Sequence, residues 1–267
     1  MKNTNKNSQN IRIAVIAVGG EGIRIGKRNN PKLLLMVNGQ PFLVFVLNLL
    51  LGQFEKLYLL TGSYGSQIEG FVRELFPMLI DHRISLINGG KEGNAKAIAK
   101  LSDKIDEPFL YMDGNVICSP QVIRKLTSLS PRPITLLVSP VSLVETHLHV
   151  KVCGGKIVGM LPIVANDWGK RGMFCSLGVM VLDPYLFNLS PRMADFSDLD
   201  LFIEFIFQNR PDVEIQPLLY RGWWCCIHTM KDIQFARKYG AKLFNVLAKR
   251  PGLTFQKGGE DANVQKS

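Results

Sequence analysis

The residues best suited to chemistry lie early in the chain, in Val18-Gly19-Gly20-Glu21-Gly22-Ile23-Arg24-Ile25-Gly26-Lys27 and the Pro31-Lys32-Leu33-Leu34 that follows. Closely spaced glycines let backbone N–H groups approach phosphate oxygens with no Cβ in the way, and Arg24 and Lys32 can neutralise phosphate charge. The pattern is not a P-loop. No glycine stands five residues before Gly26, and Arg28 follows Lys27 where Ser or Thr is needed. It is not a dinucleotide fingerprint either, because Gly20, Gly22 and Gly26 are spaced one residue too long and no acid closes the second strand at Thr61. An ordinary flexible connection also favours glycine, so the loop by itself leaves phosphate binding and a plain turn both open.

Other reactive side chains are sparser. His147 and His149 alternate on a strand and point the same way, but no Cys or acid cluster follows them, which favours strand-surface histidines over a metal site. Trp223 and Trp224 suit the core and its edge better than base stacking. Cys118, Cys153, Cys175, Cys225 and Cys226 form no CxxC pair and are odd in number, as expected of reduced thiols that mostly fill the core.

The elements that must position these residues follow from bulk properties and periodicity. A chain of 267 residues, 46% hydrophobic, can bury one sizeable core, so one domain is expected over residues 11–250. Met1–Asn10 lacks the apolar segment of a secretory signal and reads as a disordered tail, and residues 251–267 read as a polar tail. With no run of eighteen apolar residues, a soluble cytoplasmic protein without a membrane partner is expected. Lysine and arginine number 32 against 22 acids, a formal charge of +10 that favours anionic ligands. The basic residues are dispersed and lack aromatic interleaving, which makes nucleic acid a poor candidate partner.

Ile11–Ala17, Lys56–Thr61, Ile84–Ile87, Phe109–Met112 and Ile134–Val138 read as strands, with helical patterns over Phe42–Leu51, Gln67–Leu75, Ala95–Lys104 and Gln121–Leu129. Crossovers of this length join parallel neighbours, so residues 11–140 predict an α/β, Rossmann-like doubly wound half that binds ligands at its strand carboxyl ends. After Pro140 the pattern changes to strand pairs. His149–Cys153 and Lys156–Met160 flank a Gly154-Gly155 hairpin turn, followed by strands at Met173–Leu182, Val213–Leu218 and Trp223–Ile227 and helices at Asp198–Gln208 and Lys231–Lys249. Residues 141–250 therefore predict a strand-rich lid on a mixed sheet.

The order AVGGEGIRIG…PKLLL resembles the AGGxGTRL…PKPLL opening of the sugar-1-phosphate nucleotidyltransferases, particularly the bacterial hexose and heptose 1-phosphate group. Asn38-Gly39-Gln40-Pro41-Phe42 is similar to that family's NGKPxL, Thr61-Gly62-Ser63-Tyr64 to its TGY turn, and Gly93-Asn94-Ala95-Lys96-Ala97 to its GTAGA segment. Asp113-Gly114-Asn115 stands where NGD is usual, Ser176-Leu177-Gly178 where NAG is usual, and Gly222 to Thr229 where GxWxDIGT is usual. The resemblance implies a nucleotide-diphospho-sugar transferase fold and transfer of a nucleoside monophosphate from a nucleoside triphosphate to a sugar 1-phosphate. It implies nucleotide-binding roles for Gly19, Gly20, Gly22, Gly93 and Asn94. Arg24 and Lys32 would meet the phosphates in catalysis, and Asp113, Ser176 and Gly178 would border the sugar.

The same resemblance implies Mg²⁺ held by two aspartates, and here Asn115 and Cys226 occupy both positions, with His228 in place of a glycine. An amide and a thiol are poor ligands for a hard cation. Three readings follow: Asp113 takes over from Asn115, although the two are ~6.6 Å apart along an extended chain; Cys226 and His228 hold a softer metal such as Zn²⁺; or the fold persists as a nucleotide or sugar-phosphate binding or regulatory homologue, alone, as a homo-oligomer or beside an active transferase.

Overall fold

The computed structural model describes residues 11–20, 31–129, 132–140, 148–161 and 172–248. In chain order its elements are β1 (Ile13–Ala17), β2 (Met36–Val37), β3 (Gln40–Pro41), α1 (Phe42–Leu51), β4 (Lys56–Thr61), α2 (Gly65–Leu75), β5 (Ile84–Asn88) and α3 (Asn94–Ala99). They continue as β6 (Phe109–Asp113), β7 (Val116–Cys118), α4 (Pro120–Thr127), β8 (Ile134–Ser139), β9 (His149–Cys153), β10 (Lys156–Leu161) and β11 (Met173–Leu182). The last are α5 (Leu199–Asn209), β12 (Ile215–Leu219), β13 (Trp224–Cys226), α6 (Met230–Tyr239) and α7 (Ala241–Ala248).

Strands β5, β4, β1 and β6 lie side by side and parallel, as the crossover lengths require. The next neighbour of β6 is the antiparallel β11 rather than β8, and β8 pairs with the far edge of β11 and with β12. The sheet is thus mixed, and the α/β fold with a doubly wound mixed sheet is the one built. The β9–β10 hairpin joins the same sheet through β11. Its Gly154-Gly155 turn has both residues at positive φ, +56° and +78°, the combination a two-residue hairpin needs.

Period-two alternation sends successive side chains to opposite faces of the sheet. Ala14 and Ile16 of β1 enter one core with α1, α2 and α6, while Val15 enters the other with α3 and α5. Helix α1 is buried almost all round, because α7 covers its outer side and Phe244 packs 4.5 Å from Phe45 between ring centroids. Among the described residues no helix is long and apolar enough to cross a membrane.

Several boundaries differ from the sequence reading. Helix α3 ends at Ala99, where i→i−3 bonds from Leu101 and Ser102 tighten the chain into turns. The expected Lys231–Lys249 helix is two, divided at Gly240, where a Cβ would collide with the Phe244 ring and the Ala236 carbonyl. His149 is buried instead of lying on the surface, at the end of β9 that pairs with Leu161 of β10 and Cys175 of β11, while Lys151 and Cys153 on the same strand are exposed. His147 lies outside the described residues.

Candidate functional site

A cavity of about 400 Å³ opens at the carboxyl ends of β1, β4 and β6, where a doubly wound sheet places ligands. Gly19, Gly20, Lys32, Thr61, Gly93 and Asn94 line one part of it, and Asp113, Asn115, Asp198 and His228 another. Gly22 and Arg24, expected beside the phosphates, lie outside the described residues.

Gly19 leaves β1 in van der Waals contact with Gly62 at the end of the parallel β4, so close that a Cβ at Gly19 would sit 2.8 Å from the Gly62 nitrogen. Gly20 faces inward. A Cβ there would meet only the Lys32 chain, 3.6 Å from Nζ, so the ammonium lies directly over the glycine turn. Lys32 begins a short 3₁₀ turn whose Leu33 is buried, and that anchor holds the lysine stem against the cavity.

The opposite wall is acidic. Tyr111 donates its hydroxyl to Asp113 Oδ1 at 2.6 Å and accepts from Asn94 Nδ2 at 3.1 Å, while Asn94 Oδ1 accepts the Leu199 N–H at 2.8 Å. Both ends of the Asn94 amide are therefore spent on the protein. Its place in this structure is to tie α5 to β6, even though it borders the cavity as the sequence led us to expect. Removal from water pushes the Asp113 carboxyl up to about 6, against the opposing pull of the Tyr111 hydrogen bond and the Lys32 ammonium. Asp200 rises to about 8, first through burial and then through repulsion from Asp198 and Asp113. Asp198 caps α5 by accepting the Asp200 N–H at 2.7 Å.

Gly93 and Gly178 are fixed by backbone geometry. Gly93 has φ +107° and packs on the Ser197 carbonyl, leaving no room for a Cβ where the chain enters α3. Gly178 has φ +65° at an irregularity in the β11–β8 register and lies against the Asp113 carboxyl, so a side chain there would displace it. Ser176 is fully buried, with its hydroxyl accepting the Gly178 N–H at 3.4 Å. Gly178 thus abuts the Asp113 carboxyl and Ser176 braces the Gly178 turn.

At the remaining corner, β7 and β13 form a small antiparallel ladder that pairs Val116 with Cys226. Ile227 N–H donates to Asn115 O at 2.8 Å, which locks the two segments together. Asn115 Nδ2 donates to Cys226 Sγ and to Ile227 O, each at 3.2 Å, and lies 3.4 Å from His228 Nε2. Cys226 Sγ lies 2.8 Å from the same imidazole nitrogen. Burial, then Asp113, pushes the Cys226 thiol well above its ordinary range, which favours S–H within hydrogen-bond reach of Nε2. The α6 capping box places His228, with Asp232 Oδ2 accepting both the His228 and Thr229 N–H groups.

This arrangement does not fit a hard divalent cation. Asn115 Nδ2 is turned into contacts with Cys226 and Ile227, an amide and a thiol stand where carboxylates are expected, and among the described residues no group of three or more His, Cys, Asp or Glu is placed to hold a metal ion. The Zn²⁺ alternative fails on geometry as well. Sulfur and nitrogen ligands of one tetrahedral zinc stand roughly 3.5 Å apart, whereas Cys226 Sγ and His228 Nε2 are 2.8 Å apart, and among the described residues no third ligand accompanies them. Nor does Asp113 replace Asn115, since Tyr111 and Gly178 hold its carboxyl at the acidic wall.

Tyr111, Asp198 and Asp200 were missed in the sequence. Tyr111 lies in an apolar strand, and Asp198, read as the first residue of a helix, is the cap of α5.

No protein-family model and no curated protein sequence matches the chain. Solved structures do. An inositol-1-phosphate CTP transferase from T. maritima superposes with a TM-score of 0.71 at 17% identity, over 92% of this chain and 99% of that one. HddC from Yersinia pseudotuberculosis, complexed with GMP-PN, gives 0.69 at 17% identity over 85% and 99%. A UDP-glucose pyrophosphorylase complexed with UDP-glucose gives 0.69 at 17% identity over 87% and 99%. The chain has the fold of these nucleotidyltransferases along nearly their whole length.

Proposed function

We propose that this chain belongs to the sugar-1-phosphate nucleotidyltransferases and takes a nucleoside triphosphate and a sugar 1-phosphate in the cavity at the ends of β1, β4 and β6. The observation that carries the reading is the seating of Lys32 over Gly20 in that cavity, opposite Asp113, within the fold of proteins solved with GMP-PN and UDP-glucose. In the reaction a sugar-phosphate oxygen bonds to the α-phosphorus of the triphosphate and the bond to the β-phosphate oxygen breaks. The products are an NDP-sugar and pyrophosphate. Such a transfer needs positioning and charge neutralisation more than a side-chain nucleophile. Lys32, with Arg24, supplies positive charge to the phosphates. Gly19, Gly20, Gly22 and Gly93 let the nucleotide approach the backbone, and the Asp113 wall takes sugar hydroxyls. Residues 11–140 form the nucleotide-binding half of one domain and residues 141–250 its sugar-binding half, in a cytoplasmic protein.

A second reading, a non-catalytic nucleotide or sugar-phosphate binding homologue that regulates or accompanies an active transferase, is favoured by the closed Asn115–Cys226–His228 cluster. One experiment separates them. Each nucleoside triphosphate is incubated with a panel of hexose and heptose 1-phosphates, with pyrophosphate release and ligand-induced thermal shift followed in parallel. Turnover supports the first reading, and thermal shifts without turnover the second. Silence in both readouts overturns both.

A further inference from the structure

We propose that this cavity binds its phosphate-bearing ligand without a divalent cation, with Lys32 as a positive charge already on its lining. The inference deepens the nucleotide reading above and rests on it. Two observations converge. First, Asn115, Cys226 and His228 satisfy one another at 3.2 Å and 2.8 Å, with Ile227 O taking the remaining contact of the amide nitrogen. Rotating the Asn115 amide to present oxygen would set that oxygen against the Ile227 carbonyl, so the orientation is fixed by its partners. A metal entering here must break these hydrogen bonds. Second, a cation is already present between the two walls. Lys32 Nζ lies beside Gly20, in a cavity whose lining also includes Asp113, Asn115 and His228. A phosphate seated on the glycine turn meets that ammonium directly, as a charge-assisted hydrogen bond requires.

The test has a metal arm and a nucleotide arm, both on the full chain. In the first, ligand-free protein is titrated with Mn²⁺ and the free ion is followed by electron paramagnetic resonance. Wild type is expected to bind no stoichiometric Mn²⁺, and the N115D/C226D double variant, which supplies two carboxylates, is expected to gain one site. In the second, calorimetry measures a non-hydrolysable nucleoside triphosphate binding in EDTA and in excess Mg²⁺. Wild-type affinity is expected to agree within about threefold between the two buffers, and Lys32→Ala to lose roughly a hundredfold in both. One Mn²⁺ per wild-type chain, or Mg²⁺ strengthening wild-type binding by about tenfold or more, overturns the inference while leaving the nucleotide reading intact. A folded double variant that gains no site also overturns it. Failure of every triphosphate to bind in either buffer removes both the inference and the reading beneath it. If the double variant does not fold, the wild-type measurements still decide.

Discussion

The two ends of the cavity are built on opposite plans. At the β1–β4 end, among the described residues, Gly19 and Gly62 touch, Gly20 lines the cavity, and the Lys32 ammonium lies over the turn. At the β7–β13 end Asn115 Nδ2, Cys226 Sγ, Ile227 O and His228 Nε2 engage one another, with no carboxylate among them. An open surface of N–H groups and one cation is a receptor for an anion, whereas a closed cluster without a carboxylate holds two segments together. Neighbouring residues in one fold can therefore diverge. One end keeps a shape useful to a ligand while the other exchanges charge for internal hydrogen bonds.

The largest effect should come from the open end. Lys32→Ala removes the cation over the glycine turn, and removal of one such electrostatic contact typically costs roughly 10²–10³-fold in turnover. Pyrophosphate release where it is measurable, or triphosphate affinity otherwise, should fall by about that factor. A loss under about tenfold would mean that Lys32 is a surface residue and that the asymmetry has no bearing on binding.

Next in size is the acidic wall. Gly178→Ala puts a methyl group into the Asp113 carboxyl at a position with φ +65°, a conformation that disfavours alanine. The cost should exceed about 1 kcal/mol in chemical unfolding, with weakened sugar-phosphate binding as Asp113 moves. Unchanged stability would show that β11 relaxes freely at its register shift.

At the closed end, Asn115→Ala strips Cys226 and Ile227 O of their donor. Unsatisfied buried groups cost about 1–3 kcal/mol, readable as a lower midpoint in urea. A neutral result would show that water replaces the amide and that the cluster is not what binds β7 to β13.

How much of this was legible in the sequence differs between the same regions. Gly19, Gly20 and Lys32 could be found because glycine spacing and a following lysine are local patterns, and the strands before them follow from short apolar runs. Asn115 and Cys226 could be singled out by resemblance, but their mutual contact could not, because β7 and β13 are three-residue strands far apart in sequence. Strands this short carry no periodicity to read. The insertion of β11 between β6 and β8 was equally hidden, since an alternating pattern says which face is buried and nothing of which neighbour is paired. The acidic wall was masked by residues with two roles. Tyr111 and Asp198 satisfy core and cap patterns that are complete explanations by themselves.

The smallest effect concerns pH and tests whether the acidic wall is a strained feature of the folded chain. Asp200 sits in the first turn of α5, where the helix dipole favours a carboxylate by about 0.3–1 kcal/mol. Burial and the nearby Asp198 and Asp113 outweigh that, raising its value from 3.8 to about 8. The folded chain therefore holds the proton more tightly than the unfolded chain. The stability this contributes is fully present below about pH 4 and is lost as pH rises toward 8. Asp200→Asn keeps a neutral side chain that can still accept the Leu148 N–H, so the loss disappears in the variant. Asp200 keeps partial access to solvent, which screens much of that shift, so the difference in melting temperature between variant and wild type should be near zero at pH 4 and reach roughly 2–4 °C at pH 8, about 1 kcal/mol for a domain of this size. A difference that stays constant across that range would mean Asp200 ionises as freely in the folded chain as in water. The repulsion among the three aspartates would then be too weak to distinguish this wall from the rest of the cavity.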